Sequence, residues 1–294
     1  MTNQSRAYMF AIAAILCWST IASAFKITLR FVNFLQLLLL ASVFSTVILF
    51  LILIIQKKIG LIKKTTRTDM LKSAMMGFLN PFMYYVILLK AYSLLKAQEA
   101  GTLNYIWPIT LVLLSIPLLK QKISWLSILA VIISFTGIII ISTEGHLLHL
   151  EFKNPLGVAL ALGSSVFWAL YWILNIKDHR DEALKLSMNF LFGTVYIFFL
   201  VLIFSDFNSI SWKGVAGSLY IGFFEMGLTY FLWLKALQLS VNTARVSNLV
   251  YLSPFISLII IQIALKEMIL LSTIAGLVFI VGGILLQQVT KTKP

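Results

Sequence analysis

Charged residues are scarce in this sequence, and their scarcity excludes a soluble globular domain. Only 11% of its 294 residues are Asp, Glu, Lys or Arg, whereas soluble domains contain about 25%. Hydrophobic residues make up 60% of the chain, and its mean hydropathy is +0.98. Water cannot solvate a surface of this kind, so we expect an integral membrane protein in contact with a lipid bilayer.

Cysteine and histidine are also rare, which excludes several kinds of site. The single cysteine, Cys17, excludes an internal disulfide framework. The three histidines, His146, His149 and His179, fall in predicted loops, so there is no zinc-binding HExxH helix and we expect no metal site. The sequence also lacks a P-loop for ATP and a pair of carboxylates within one apolar run. We therefore predict that the protein is not an enzyme and uses no cofactor.

Basic residues outnumber acidic ones, but their distribution argues against nucleic acid as a partner. The formal net charge is +13, yet the Lys and Arg residues are scattered through short connections instead of being gathered on one face. Basic loops on the cytoplasmic side of a membrane explain this distribution.

One segment of the chain occurs twice. Residues 77–108 and 222–254 share the same order of a long apolar run, a Lys-Ala pair, a short polar break and a proline. Lys90 corresponds to Lys235 at an offset of 145 residues, and Pro108 corresponds to Pro254 at an offset of 146. A duplicated, strongly apolar half is typical of secondary transporters. We predict two repeats, residues 1–150 and 151–294.

The apolar runs predict an all-α membrane protein with ten transmembrane helices. Each run is near the length that crosses about 30 Å of hydrocarbon, and helices satisfy every backbone group within a single span. The predicted spans are 8–26, 34–55, 72–92, 98–118, 125–142, 155–175, 186–205, 214–236, 243–264 and 270–289.

The positions of the basic residues predict the orientation of these spans. With the N-terminus inside, 16 of the 23 Lys and Arg residues lie on the cytoplasmic side and 7 on the other. Both termini are then cytoplasmic, in the inner membrane of a bacterium. Because each repeat has an odd number of spans, the two repeats must be inverted around a central cavity.

These features together resemble a known family. Two repeats of five spans, a Trp near the middle of spans one and six (Trp18 and Trp168), Lys-Ala pairs ending spans three and eight, and Pro108 and Pro254 are similar to the EamA branch of the drug/metabolite transporter superfamily. The resemblance covers nearly the whole chain. It implies a basket of ten helices whose cavity is lined by spans 1, 3, 4, 6, 8 and 9, and it implies transport of a solute.

Polar and aromatic residues within the spans are candidates for solute binding, because a small organic solute needs apolar area and a few orienting polar groups. Helical spacing places several of them on shared stripes. Trp and Tyr also form interfacial belts, and Ser and Asn also join helices, so a structural role stays open for each. The candidates are Trp18, Ser19, Asn80, Tyr84, Tyr85, Asn104, Trp107, Trp168, Tyr171, Glu225, Thr229, Asn248 and Tyr251.

Glu225 is the most informative candidate, since it lies near the middle of span eight. A charged side chain at a helix centre costs roughly 2.5–3.5 kcal/mol on insertion scales, so it is rarely placed there without a partner or a task. Three roles are open: a protonated group bonded to a neighbouring helix, a partner for a cationic group of the solute, or a proton-coupling carboxylate. In span three, Pro81 removes a backbone donor and is expected to loosen the helix at Asn80.

Three basic residues near span ends have two interpretations. Lys90, Lys235 and Arg245 either reach the lipid headgroups with their ends or supply positive charge to the vestibules of the cavity.

We therefore predict a secondary active transporter of a small organic metabolite, such as an amino acid or a related amphiphile or drug, that works by alternating access. Its partners are the solute, the lipid bilayer and, for coupling, protons; the oligomeric state is open. Export is the expected direction. The alternatives are import or exchange of a nucleotide-like or phosphorylated metabolite and, in other classes, an intramembrane enzyme or a non-transporting membrane assembly subunit.

Overall fold

The chain is almost entirely helical. The computed structural model describes residues 3–119, 125–146, 154–176, 178–206, 210–240 and 249–291, and these residues contain no β-strand. The α-helices, numbered here in chain order, are α1 Asn3–Thr28, α2 Phe34–Ile55, α3 Arg67–Gly77, α4 Tyr84–Leu94, α5 Ala97–Asn104, α6 Trp107–Leu119, α7 Trp125–Ser142, α8 Pro155–Ile176, α9 Glu182–Phe204, α10 Trp212–Ile221, α11 Leu228–Leu239, α12 Ser253–Leu265 and α13 Leu271–Lys291.

Seven helical segments are long and apolar enough to cross a membrane. Their bounds are Asn3–Thr28, Phe34–Ile55, Arg67–Leu94, Ala97–Leu118, Pro155–Asn175, Glu182–Phe204 and Trp212–Trp233. Three shorter apolar helical segments, Ile128–Ser142, Leu249–Leu265 and Leu271–Leu286, lie where the sequence predicts the remaining spans. The prediction of an all-helical membrane protein is confirmed.

Polar side chains begin several helices by accepting hydrogen bonds from the first backbone N–H groups, which have no partner within the helix. The Asn33 side chain accepts from the N–H groups of Leu35 and Gln36, and the Gln36 side chain accepts from the Asn33 N–H in return. Asp181 caps α9 and Ser211 caps α10 in the same manner. These caps fix where the long apolar helices start.

Two helices depart from α geometry at matching places in the sequence. A wider π-type turn at Phe78–Met83 joins α3 to α4, and a similar turn at Gly222–Gly227 joins α10 to α11. Asn80 lies inside the first turn with φ −150° and ψ 119°, so the helix is interrupted next to Pro81 as the sequence predicts. The second turn contains Glu225 without a proline. Single π turns within α-helices are frequent at functional sites.

Pro108 and Pro254 start helices instead of kinking their interiors. Tyr105 and Ile106 form a turn between α5 and α6, and Pro108 occupies the first turn of α6. Pro254 likewise lies in the first turn of α12, after a short 3₁₀ segment at Leu249–Leu252. Proline is tolerated there because the first N–H groups of a helix lack an internal acceptor. The fourth predicted span is therefore two helices.

Helix α1 packs against α11 and α12, α4 packs against α8, and α2 packs against α9. The peripheral helices α7 and α13 pack along each other. Glycines permit the close approach of neighbouring backbones in several of these contacts. A Cβ atom at Gly193 of α9 would lie 2.5 Å from Pro81 Cδ and 2.9 Å from the Gly77 carbonyl oxygen, so no larger side chain fits without displacing the interrupted helix.

We expect Gly193→Ala to lower the thermal stability of the detergent-solubilised protein, because overpacking a close backbone contact costs about 1–3 kcal/mol. Gly163→Ala is the matched control, since no atom lies within 4 Å of its added Cβ and alanine favours the helix. Thermal denaturation of both purified variants measures the effect. Equal midpoints for Gly193→Ala and the unmodified protein would contradict this packing.

Ion pairs tie together the connections at one end of the helices. The Lys58 ammonium lies 2.7 Å from Asp181, and the Arg180 guanidinium lies 2.6 Å from Asp178. Arg180 also donates to the Asp69 carbonyl and to the Ser73 hydroxyl, each at 2.9 Å. Burial raises the pKa of the Asp181 carboxyl, but the hydrogen bonds from Lys58 and from backbone N–H groups outweigh burial, so its pKa lies below the ordinary value.

Because the folded state lowers the pKa of Asp181, its charge stabilises the fold above the ordinary Asp pKa of about 3.9, and that contribution is lost as the pH falls further. Asp181→Ala removes the cap and the ion pair and should cost about 1 kcal/mol at pH 7. Asp181→Asn keeps an oxygen for the cap, so it should cost a few tenths of a kcal/mol only, as for other half-exposed ion pairs. Melting midpoints at pH 7 and pH 3 test this order, and an Asn variant as unstable as the Ala variant would refute it.

Candidate functional site

The helices enclose a cavity of about 330 Å³. Its lining comes from the spans that the family resemblance predicts. Helices α1, α4, α5, α6, α8, α11 and α12, together with the turn that holds Glu225, supply the lining; they correspond to spans 1, 3, 4, 6, 8 and 9. The described lining consists of Trp18, Ile21, Ala22, Phe25, Tyr84, Leu88, Tyr92, Ala97, Gln98, Gly101, Thr102, Asn104, Tyr105, Trp107, Leu111, Trp168, Trp172, Glu225, Trp233, Val250, Tyr251, Ser253, Pro254, Ser257, Leu258 and Ile261.

Glu225 lies at the wall of this cavity, in the π-type turn between α10 and α11. Its residue surface is 9% exposed. The Tyr85 hydroxyl donates a hydrogen bond of 3.0 Å to Glu225 Oε1. A carboxylate has about four acceptor positions, so one donor leaves most of them open. No Lys, Arg or His in the described part of the chain forms an ion pair with Glu225.

A second polar contact joins the two interrupted helices beside the carboxyl. The Asn80 side-chain amide donates to the Tyr230 hydroxyl at 3.3 Å, and both residues are buried. The Asn80 side-chain oxygen is also buried and has no hydrogen-bond partner in the described part of the chain. Asn80 and Tyr85 come from the first interrupted helix, whereas Glu225 and Tyr230 come from the second. The two matching interruptions therefore meet across the centre of the protein.

Aromatic rings form much of the remaining wall, and Trp168 is at their centre. Its ring centroid lies 4.8 Å from that of Tyr84, 5.8 Å from that of Trp172 and 6.4 Å from that of Trp107. Elsewhere in the lining, the ring centroids of Trp18 of α1 and Trp233 of α11 lie 5.5 Å apart. The tilted and edge-to-face arrangements are those that aromatic pairs favour.

Hydroxyl and amide groups hold the helices around these rings. Asn104 donates to the Tyr84 hydroxyl at 3.1 Å and accepts a hydrogen bond of 3.1 Å from Ser164. The hydroxyls of Ser19 and Ser253 lie 3.1 Å apart. These bonds link the α4, α5, α8, α1 and α12 helices, so they fix the shape of the cavity.

The structure brings seven of the predicted binding residues to the cavity lining: Trp18, Tyr84, Asn104, Trp107, Trp168, Glu225 and Tyr251. Five others are buried behind it. Ser19 bonds to Ser253, Asn80 to Tyr230 and Tyr85 to Glu225. Tyr171 is fully buried, and the Thr229 hydroxyl donates to the Phe224 carbonyl.

Two of the three predicted vestibule charges, Lys90 and Lys235, lie in the described part of the chain, at separate places. The Lys90 ammonium is 5.2 Å from the centre of the Phe34 ring and lines neither cavity. Lys235 lines a separate cavity of about 390 Å³, together with Lys58 and Asp181. Arg245 and the predicted binding residue Asn248 lie outside the described residues.

Sequence reasoning missed several lining residues that helical spacing could have found. Trp233 lies eight residues after Glu225, with Thr229 midway, and Trp172 lies four residues after Trp168. Tyr92 lies eight residues after Tyr84 in the same manner. Side chains four residues apart share a helix face.

Comparisons with known proteins agree with this architecture. The model of the EamA-like transporter family matches the chain twice, over residues 5–143 and 155–287. The chain is 27% identical to the uncharacterized transporter YvbV of Bacillus subtilis over 221 residues, which cover 74% of the chain and 71% of the relative. It is 22% identical to an uncharacterized transporter of Archaeoglobus fulgidus over 276 residues, which cover 91% of the chain and 93% of the relative.

A solved crystal structure has the same fold. It superposes with a TM-score of 0.67 over 97% of both chains at 18% sequence identity. The matched relatives are named transporters and not enzymes, which confirms the resemblance predicted from the sequence. Since the family model covers nearly the whole sequence in two copies, this multi-pass membrane protein belongs to the EamA-like transporter family.

Proposed function

We propose that the protein is a secondary active transporter that moves a small organic solute across a bacterial inner membrane by alternating access. The observation that carries this proposal is the cavity of about 330 Å³ with one buried carboxyl group, Glu225, in its wall. Aromatic area with a few placed polar groups is the usual composition of a site for a small organic molecule. Export is the proposed direction.

We further propose ten membrane spans in two inverted repeats, residues 1–150 and 151–294. The seven long and three shorter apolar segments supply five spans to each repeat, and the family model matches each half once. Interrupted helices at Asn80 and Glu225 occupy corresponding places in the two halves. Elements that match across inverted repeats support a transport cycle in which the halves exchange conformations.

A nucleotide-like or phosphorylated solute is less compatible with this cavity. Phosphate groups are bound by Arg, Lys or converging backbone N–H groups. The described lining contains no Lys, Arg or His. Lys58 and Lys235 belong to the second cavity, where Asp181 and Glu182 balance their charge.

The proposed orientation places both termini in the cytoplasm. Under that orientation, the cavity lining extends from Tyr92 and Gln98 on the outer side to Trp172 and Trp233 toward the cytoplasmic side.

A reporter fused after Pro294 tests the orientation. We expect a green fluorescent protein fusion to be bright and an alkaline phosphatase fusion to be inactive, because the phosphatase folds only outside the cytoplasm. The same two reporters placed after Arg30, in the first connection, should give the opposite pattern. Activity of the phosphatase after Pro294 would contradict the proposed orientation and invert it.

Reconstitution into liposomes tests transport itself. We expect the purified protein to accumulate at least one solute from a panel of radiolabelled amino acids, nucleosides and aromatic monoamines when a pH gradient is imposed. Glu225→Gln should reduce this accumulation by at least about tenfold, because the amide keeps the shape of the side chain but carries no charge and cannot titrate.

Asp206→Asn is the matched control, since Asp206 is exposed in a connection outside the cavity and its carboxylate accepts only a 3.4 Å contact from Gln36 among the residues that the structure describes. The control should transport normally. Gel filtration of each variant shows whether it folds. A monodisperse Glu225→Gln protein with full activity would remove Glu225 from the transport mechanism.

A further inference from the structure

The cavity wall contains one acidic side chain and no basic partner for it among the described residues. Glu225 is the only Asp, Glu, Lys, Arg or His among the described lining residues. Lys26 lies nearby at the end of α1, but its ammonium donates to the backbone carbonyls of Tyr92 at 2.8 Å and Leu95 at 2.7 Å. These carbonyls end helix α4, where a cation is favourable. The ammonium of Lys26 therefore has partners of its own and is not directed to Glu225.

The titratable groups on α4 and α11 that flank Glu225 in the described part of the chain are phenols. Tyr85 of α4 donates to it, and Tyr84 and Tyr230 lie on the same α4 and α11 helices that flank it. A phenol ordinarily titrates near pH 10, so these groups stay neutral around pH 7. An ionised Glu225 thus needs a positive charge from outside the protein.

The aromatic wall is suited to supply the rest of a cation site. The faces of aromatic rings carry partial negative charge, and a cation within about 6 Å of a ring centre is attracted to them, most strongly by Trp. Five of the seven Trp residues line the cavity, and Tyr84 and Tyr105 add further rings. These rings also exclude water, which strengthens the attraction between a bound cation and the carboxylate.

Two donors in the same wall have no acceptor. The indole N–H groups of Trp168 and Trp172 are buried without a hydrogen-bond partner in the described part of the chain. Buried donors are normally satisfied. A neutral oxygen on the solute, such as a hydroxyl, ether or carbonyl, suits a neutral N–H donor, whereas a carboxylate would bring a second negative charge into a site that already holds Glu225.

We propose that the central cavity selects a small monovalent organic cation, an aromatic or aliphatic amine or quaternary ammonium, whose positive group pairs with Glu225 and lies against the Trp168 ring cluster. This cluster is Tyr84, Trp107, Trp168 and Trp172. The inference rests on the proposed transport function and assigns its substrate class. A volume of about 330 Å³ is near the lower limit for sites that bind small organic ligands, so a molecule with a single ring fits the size.

Binding to the purified, detergent-solubilised protein tests the charge directly, with probes that share one skeleton. Phenethylamine is the cation, 2-phenylethanol the neutral analogue, phenylalanine the zwitterion and 3-phenylpropionate the anion. Titration calorimetry should show phenethylamine binding at least about tenfold more tightly than each of the other three. The trimethylammonium derivative of phenethylamine should also bind, because the rings attract a cation that cannot donate a hydrogen bond.

Glu225→Gln should weaken binding of both cations by at least about tenfold, whereas Asp206→Asn should leave their affinities unchanged. If the Gln variant does not fold, the pH dependence of binding to the unmodified protein tests the same role of Glu225. Its affinity for the quaternary ammonium, whose charge does not depend on pH, must fall as acidification protonates the carboxyl. An affinity that stays constant between pH 8 and pH 4 would remove Glu225 as the counter-ion.

Several results would overturn the cation site: no binding of either cation, equal or tighter binding of 3-phenylpropionate or phenylalanine, or full affinity in a folded Glu225→Gln protein. Liposome flux separates this failure from a failure of transport. Flux of an anionic or neutral solute would retain the transporter and reject the substrate class. Tight cation binding without flux of the same cation would retain the site and reject the transport function.

Discussion

Lipid offers no hydrogen bonds, so a departure from regular helix inside a membrane must be covered by protein or by water in a cavity. This constraint explains where the irregular segments of the chain are found. Asn80, where the first long interruption occurs, is fully buried, and Gly222, Glu225 and Gly227 of the second interruption are buried as well. The turn at Tyr105 borders the cavity. Irregular backbone is thus concentrated in buried segments and beside the cavity, where the proposed transport cycle needs a solute site and a hinge.

The interruptions also determine which side chains meet. A π-type turn changes the direction in which the following residues face, and here it brings Glu225 to the cavity wall, next to Tyr85 of the opposite half. The close contact between Gly193 and Pro81 holds the first interrupted helix against α9, so the irregular segment has a fixed support. Packing around the centre therefore decides the environment of the carboxyl group, and the helices farther out, such as α7 and α13, complete the fold.

Sequence patterns could predict the elements but not their contacts. Hydropathy located the apolar segments, Pro81 located the interruption at Asn80, and the burial cost of a charge singled out Glu225. The donor to Glu225 could not be found this way, because Tyr85 is 140 residues away and only the packing of α4 against the second interrupted helix brings it near. The contacts of Lys26 could not be predicted for the same reason, because its acceptors are backbone carbonyls at the end of α4, which are distant in the sequence.

A lone carboxylate in an aromatic wall suits a transporter better than a permanent ion pair would. If a Lys of the protein neutralised Glu225, the pair would be stable in the empty site, and a cation would have to displace it. With the Tyr85 hydroxyl as its one hydrogen-bond partner among the described residues, an ionised Glu225 stays unfavourable until a proton or the proposed cationic solute binds. Rings attract a cation without directional bonds, so the proposed solute could leave again without leaving polar groups unpaired. The proposed site therefore combines selection by charge with release of the solute.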